Sequence, residues 1–526
     1  MKRGTLLLAL IVAAFGAACS SGGSSTLPPP PPLGFSNSSL KGQYAFIMAG
    51  QAPDGFIARI GSFVADGNGG ISGGTELVDT FTNNFQQIAF VASNYQVQAD
   101  GRGVINLTNV TGTLSFSVTL TSTSGGIICE TDGVTGTSGT FELQDTTTFT
   151  TAALSNSFVF DNAGLDGTPF PNTSTDSIVG QIVLNGGTVA SGVYDENDGA
   201  TASGPVAITG GSYVIADATN GLGTLTFNNQ FQYAFVIVSG TKFHMIEVPP
   251  TGINIPITVG TANAQSAPPA NNTAFASSYA FLTAGVGTTS ADFKVGRFSA
   301  NGSGGATSIA LDEKLLGSSI TQVPNGSLSA TNYAIDTNFP GSGRGTLTFT
   351  DSKTGTYSFV FYMSSATQGV IQDNSKGIVG DGVIMAQSGA PFSNASVAAD
   401  YGFNWNGVSQ NNTNNAVGEE DFVGHVTVSG ATSANVTGAM DFSELNANQG
   451  AFHDSALNGT LTINGDGTTS SGNRSTLKVT AAGTNGGPST TFNFSLYPVN
   501  STTMFVIDTD KDHSTGGVFT KQITPP

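Results

Sequence analysis

The sequence predicts an all-β protein of four tandem copies of one small antiparallel domain. Each copy is expected to be an up-and-down β-barrel, with a two-sheet β-sandwich as the alternative. Three observations carry this. A set of landmarks returns four times at a spacing of about 120 residues, the size of a small domain. Asx-Gly pairs punctuate apolar runs, as tight hairpins require. Side-chain polarity alternates with period two, and helical periodicity is absent outside the N-terminal segment.

Tyr44, Phe158, Tyr279 and Tyr401 open the copies, and Gln144, Gln265, Gln387 and Gln522 close them. The period is too long for a solenoid unit. The division expected from it is a signal peptide at 1–18, a Ser/Gly/Pro-rich tether at 19–37, and β-domains at 38–148, 149–270, 271–393 and 394–526. Short linkers rich in Ala, Ser, Asn and Pro fall near 145–153, 266–274 and 388–397.

The first copy shows the strands in order. Gln43 to Gly50 and Phe56 to Ala65 are two strands, and Asp66-Gly67-Asn68-Gly69 turns the chain back into Ile71 to Val78. Tyr95 to Ala99 leads to a second turn, Asp100-Gly101-Arg102-Gly103, and Val104 to Leu107 returns. Leu114, Phe116, Val118 and Leu120 alternate with Ser115, Ser117 and Thr119, one face dry and one wet. Ile127 to Glu130 and Thr140 to Gln144 complete about eight strands. Eight strands in hairpin order close most simply into a barrel, which removes both exposed edges. The chain's 35 Phe are needed as core, so the expected barrels are filled rather than hollow.

Only 10% of residues are charged, and 35 acids against 16 bases leave a formal charge of −19. Such a surface repels a phosphate backbone, which sets nucleic acid aside as a partner. Its simplest meaning is solubility.

Lys2 and Arg3 precede an apolar run from Leu6 to Phe15, then Gly16-Ala17-Ala18-Cys19. This is the plan of a secretory signal. The segment resembles the bacterial lipoprotein signal, with Gly16 where Leu is usual. The resemblance implies that Cys19 becomes the first residue and is lipidated, and Ser20 after it implies the outer membrane; ordinary secretion is the alternative. Pro28 to Pro32 form a stiff polyproline spacer. The layout as a whole resembles the uncharacterised multi-copy β-rich envelope lipoproteins of soil bacteria, a resemblance that brings no activity with it. Gly42-Gln43-Tyr44 is similar to the start of lipocalins, and no function is carried across from it. With Cys19 acylated, Cys129 stands alone in an apolar strand, as an inert buried thiol.

No phosphate loop or zincin motif is present in the sequence, and no cofactor is implied. His244, His425, His453 and His513 lack ligand spacing and are read as surface or hairpin residues. Glu419, Glu420 and Asp421 are read as a solvated acidic loop. Asp508, Asp510 and Asp512 resemble the start of a calcium loop, but His513 stands where Gly belongs and no closing Glu follows, so they form a weak metal candidate. Arg102, Arg344 and Arg474 at the second turn are paired in expectation with Glu130, Gln372 and Asp508 of the same copy, to pin register; copy two has Leu222 and Glu247.

The function expected is non-catalytic: an envelope lipoprotein whose stacked domains form a stalk or an adhesive surface module, with a lipid anchor and a surface glycan or envelope protein as partners. The alternatives are a carrier of small apolar ligands and an extracellular polysaccharide hydrolase. Trp405 is the only Trp, which weakens the glycan idea. The ligand itself is not legible.

Overall fold

The computed structural model of the protein describes residues 34–525 apart from 82–84, 168–172, 251–255, 288–289, 324–327, 412–415, 432–433, 446–449, 465–473 and 484–488. The signal segment and Cys19 lie outside the described residues.

The chain forms four antiparallel β-barrels in tandem. In barrel 1 the strands are β1 (Lys41–Ala52), β2 (Gly55–Asp66), β3 (Gly70–Thr80), β4 (Gln86–Phe90), β5 (Ser93–Val97), β6 (Arg102–Asn109), β7 (Gly112–Ser122), β8 (Gly125–Glu130) and β9 (Gly136–Leu143). Eight of them close in the order β1-β2-β3-β5-β6-β7-β8-β9, and β9 returns to β1. Strand β4 adds to β3 outside this ring and was not foreseen from the sequence. Barrel 2 repeats the plan from Ser157–Gly167 to Ile257–Ala264. Barrel 3, from Ser278–Val286 to Val379–Ala386, closes through a single bridge, Gly305 to Asn332. Barrel 4 closes fully with eight strands, from Asp400–Gln410 to His513–Lys521.

The predicted turns sit where Asx-Gly pairs permit left-handed backbone, as at Gly67 (φ 85°) and Gly101 (φ 86°). Inward-facing residues fill each barrel. Tyr44, Phe46, Phe63 and Phe141 pack in barrel 1, and Phe275, Tyr279, Phe298 and Phe361 in barrel 3. Trp405 is fully buried against Phe403 and Phe494 in barrel 4, so it offers no platform for a sugar.

The linkers do more than connect. Each contains a 3₁₀ turn: Asn37–Ser39, Thr151–Leu154, Asn272–Phe275 and Asn394–Val397. Side chains of Thr150, Asn271 and Ser393 accept from the N–H groups of Ala153, Ala274 and Ser396, the third residue of each of three turns. Leu40, Leu154, Phe275 and Val397, in or directly beside these turns, are then driven into the end of the following barrel, where all four are fully buried. Phe35, within the stretch expected as tether, joins the barrel 1 core.

The four barrels close on one another. Small apolar clusters join barrel 1 to 2, 2 to 3, 3 to 4, and 4 back to 1. Their centres are equivalent residues of each second strand: Ile60, Val179, Val295 and Val423. The tandem domains, expected as a stalk or a surface module, are thus arranged as a ring. The closing glutamines make the ring. Gln144 Nε2 donates to Asn220 O and Ile237 O of barrel 2, and Gln265 Nε2 to Ser342 O and Met363 O of barrel 3 at 2.7 and 3.0 Å. Gln387 Nε2 donates to Pro498 O of barrel 4 at 2.7 Å. Gln522 Nε2 donates to Asp100 O and Leu120 O of barrel 1 at 3.0 and 2.7 Å.

The seam between barrels 4 and 1 has no linker across it, so Gln522 matters most there. Gln522→Ala leaves two buried carbonyls without this donor and is expected to lower stability by about 1–3 kcal/mol. Urea melts measure the loss, and faster amide exchange at Ile523, whose N–H donates to Thr121 O, locates it at this seam.

Candidate functional site: barrel mouths and seams

Two kinds of buried polar assembly stand out. The first lies at the seams. Arg344 of barrel 3 reaches Asp195 of barrel 2 through two hydrogen bonds, Nε to Oδ2 at 2.7 Å and a terminal nitrogen to Oδ1 at 2.8 Å. Arg474 of barrel 4 reaches Asp312 of barrel 3 at 2.9 Å. Arg102 of barrel 1 reaches Asp454 of barrel 4 at 2.6 Å and Asp441 at 3.9 Å. The fourth seam replaces the pair: Leu222 stands at the arginine position and Leu77 at the aspartate position, both in the apolar cluster between barrels 1 and 2.

This corrects the expected pairing within copies. Arg102 is in register with Thr119 and faces outward, whereas Glu130 is opposite Phe116 and faces inward. The two lie on opposite faces of the sheet and cannot meet. Glu130 instead faces Arg59, at 3.6 Å, and accepts from Thr137 Oγ1 at 2.9 Å. Gln372 donates to Ser177 O in barrel 2 at 2.6 Å rather than meeting Arg344. Asp508 is in the interior of barrel 4, while Arg474 reaches Asp312.

The second assembly is an ionic cluster inside one end of a barrel. In barrel 1 Arg59 pairs with Glu76 and Glu130. Burial raises the Glu130 carboxyl to about 7, against the pull of Arg59. In barrel 3 the Lys294 ammonium sits 2.7 Å from Asp292, 2.8 Å from Asp373 and 3.2 Å from Glu313. Burial opposes its charge, but the three carboxylates outweigh burial and raise its pKa. In barrel 4 His513 Nδ1 lies 2.9 Å from Glu420. Burial again opposes the charge, and Glu420 with Asp508 and Asp512 pushes the imidazole up to about 10.

The acidic run is accordingly not a solvated loop. It belongs to the strand Val417–Ser429, with Glu420 turned inward to His513 and Thr515 and Asp421 buried beside barrel 1. Nor are all histidines at the surface. His244 and His425 are buried, and burial holds the His244 imidazole well below its ordinary value. Cys129 is buried between barrels 1 and 4 and burial drives its thiol pKa up, as for an inert cysteine.

In the weak calcium candidate, Asp508 and Asp510 are engaged in hydrogen bonds of their own strand ends. Asp508 Oδ1 accepts from the Asp510 N–H at 2.5 Å, and both Asp510 oxygens are taken by Asn493. Among the described residues, no group of three or more His, Cys, Asp or Glu side chains is arranged to hold a metal ion. An open groove of about 630 Å³ runs between barrels 3 and 4, lined by Ile320, Gln322, Lys478 and Phe494 among others.

The fold and these assemblies define a ring of four filled antiparallel barrels. No family model matches the chain, and no curated protein matches it. Among solved structures it is similar to the intact Ap-TbpB with N and C lobes, at 9% identity over 76% of this chain and 83% of that one, with a TM-score of 0.16. It is also similar to a double mutant of the vaccine antigen Transferrin Binding Protein B from Haemophilus parasuis Hp5, at 9% identity over the same shares, with a TM-score of 0.19. At such TM-scores the backbones do not superpose as wholes, and nothing about this chain follows from the likeness.

Proposed function

We propose that the chain is a non-catalytic envelope lipoprotein, anchored through Cys19, that presents the four-barrel ring as a structural or adhesive surface module. The observation that supports it best is the closed ring of filled barrels. Aromatic and aliphatic side chains occupy the interiors, which speaks against carriage of apolar ligands inside them. Recognition then falls to the outer face of the ring, where an envelope protein or a surface glycan is the partner. Buried polar groups serve the seams and the barrel ends, which accounts for their clustering without invoking a reaction. The resemblance to the lipoprotein signal supports the lipid anchor, and Ser20 following Cys19 supports the outer membrane.

The test is metabolic labelling with radioactive palmitate in a bacterial host. Label on the wild-type protein and none on Cys19→Ala is expected. Label that survives the substitution, or its absence from the wild type, removes the anchor. Protease treatment of intact cells then reports whether the ring is displayed outward.

A further inference from the structure

The four barrels are variants of one unit, so their interiors can be compared position by position. Three acids recur in barrels 2 and 3. Asp176 and Asp292 each stand three residues before the seam valine, Val179 or Val295. Glu196 and Glu313 each follow the seam aspartate, Asp195 or Asp312. Glu247 is opposite Tyr233 as Asp373 is opposite Phe359. In barrel 3 these three carboxylates converge on the Lys294 ammonium. Barrel 2 keeps all three and has Ile178 in place of the lysine.

Barrels 1 and 4 also carry a base in this region, Arg59 and His513. In barrel 2 the charged groups that act most on Asp176 are Glu196, Asp166, Glu247 and Asp198, all acids. Burial first, and then these like charges, raise Asp176 to about 9. The surrounding polar atoms are unspent. Asp176 Oδ1, both amide atoms of Asn162 and Tyr233 Oη have no hydrogen-bond partner among the described residues, and the three side chains are at most 1% exposed. Buried polar groups are normally satisfied, and such a set points to an occupant. The mouth adds half-buried Asp166 and exposed Asp198, where barrel 3 has Gly287 and Leu315.

We propose that the mouth of barrel 2 binds a primary ammonium group between Asp176, Glu196 and Glu247, as barrel 3 binds its own Lys294. The outer carboxylates draw the cation in, and the inner three, with Asn162 and Tyr233, accept its three N–H donors. A free alkylamine and a lysine side chain share this chemistry.

Calorimetric titration of the full chain with methylammonium, and separately with Nα-acetyl-lysine amide, tests it at constant ionic strength. One saturable site per chain is expected, with no site for tetramethylammonium, which has no N–H to donate. Tighter binding of the lysine derivative identifies a polypeptide source, and tighter binding of methylammonium a free amine. Ile178→Lys supplies the missing ammonium from within and should weaken binding at least about tenfold, the equivalent of one charged hydrogen bond. If that variant fails to fold, half-buried Glu196→Gln should weaken binding by a similar factor. A second, independent reading is Lys294→Ala, which should gain a methylammonium site in barrel 3 and recover thermal stability as the amine is added. The proposal is overturned if no saturable binding occurs, if tetramethylammonium binds equally, if calcium binds in place of the amine, or if the folded barrel 2 variant binds as the wild type does.

Discussion

Arg344→Ala is expected to destabilise the ring by about 3–5 kcal/mol, the usual cost of stranding one partner of a buried ion pair. The guanidinium holds Asp195 by two bonds and Asp336 by a third at 2.8 Å, and the pair is almost wholly buried. Its removal leaves Asp195 with Tyr362 Oη, at 2.6 Å, as its remaining side-chain partner. Replacing both residues should behave differently. Asp195→Leu with Arg344→Leu copies the seam that Leu77 and Leu222 already make between barrels 1 and 2. Burying two apolar side chains in place of a desolvated pair is often neutral or stabilising. Urea denaturation of the two single variants and the double variant gives the coupling directly. A double variant as unstable as Arg344→Ala would show that the leucine seam depends on packing peculiar to its own interface.

The second large effect concerns Asp79. Its side chain is wholly buried, in register with Ala58 at the barrel 1–2 seam, with the neighbouring Thr80 N–H favouring its charged form too weakly to offset burial. Burial, with the Glu247 charge adding to it, raises its pKa to about 8. A carboxyl whose folded value exceeds its unfolded value favours the fold at low pH and loses that contribution as pH rises toward the folded value. Asp79→Asn removes the charge while keeping the shape. It is expected to stabilise the protein by about 1–3 kcal/mol at pH 8, with the gain vanishing below about pH 3, where aspartate is neutral in both states. Denaturation midpoints of wild type and variant across that range should converge toward acid. A gain that does not change with pH would assign the effect to packing instead of proton uptake.

The fold was legible because its determinants are local. Period-two alternation and Asx-Gly turns act within a few residues, so β1, β2, β6 and β7 could be read off directly. Strand β4 escaped because Gln86–Phe90 is short and extends an edge beyond the closed ring. The glutamines were visible as the last mark of each copy, but their role depends on carbonyls in the next copy. Parity along one strand already separates the arginine from the glutamate. Arg102 shares the outward face with Thr119, and Glu130 shares the inward face with Phe116, three residues away and therefore of opposite parity. Glu419 to Asp421 misled for a related reason: with acids on both faces of the strand, one pointing to His513 and another to barrel 1, no alternation in polarity remains to be seen. The vacant lysine position in barrel 2 needed the register of all four copies before Ile178 could be compared with Lys294.

A head-to-tail contact either propagates without limit or returns to its start, and here Gln522 returns it to barrel 1 after four steps. Gly34 lies against the Pro525 carbonyl, so the entry to barrel 1 and the exit from barrel 4 are side by side. Copy number is thereby locked by geometry. Gain or loss of a single repeat during recombination would leave two sticky faces bare, and such an allele would encode a polymer rather than a longer or shorter version of the same particle.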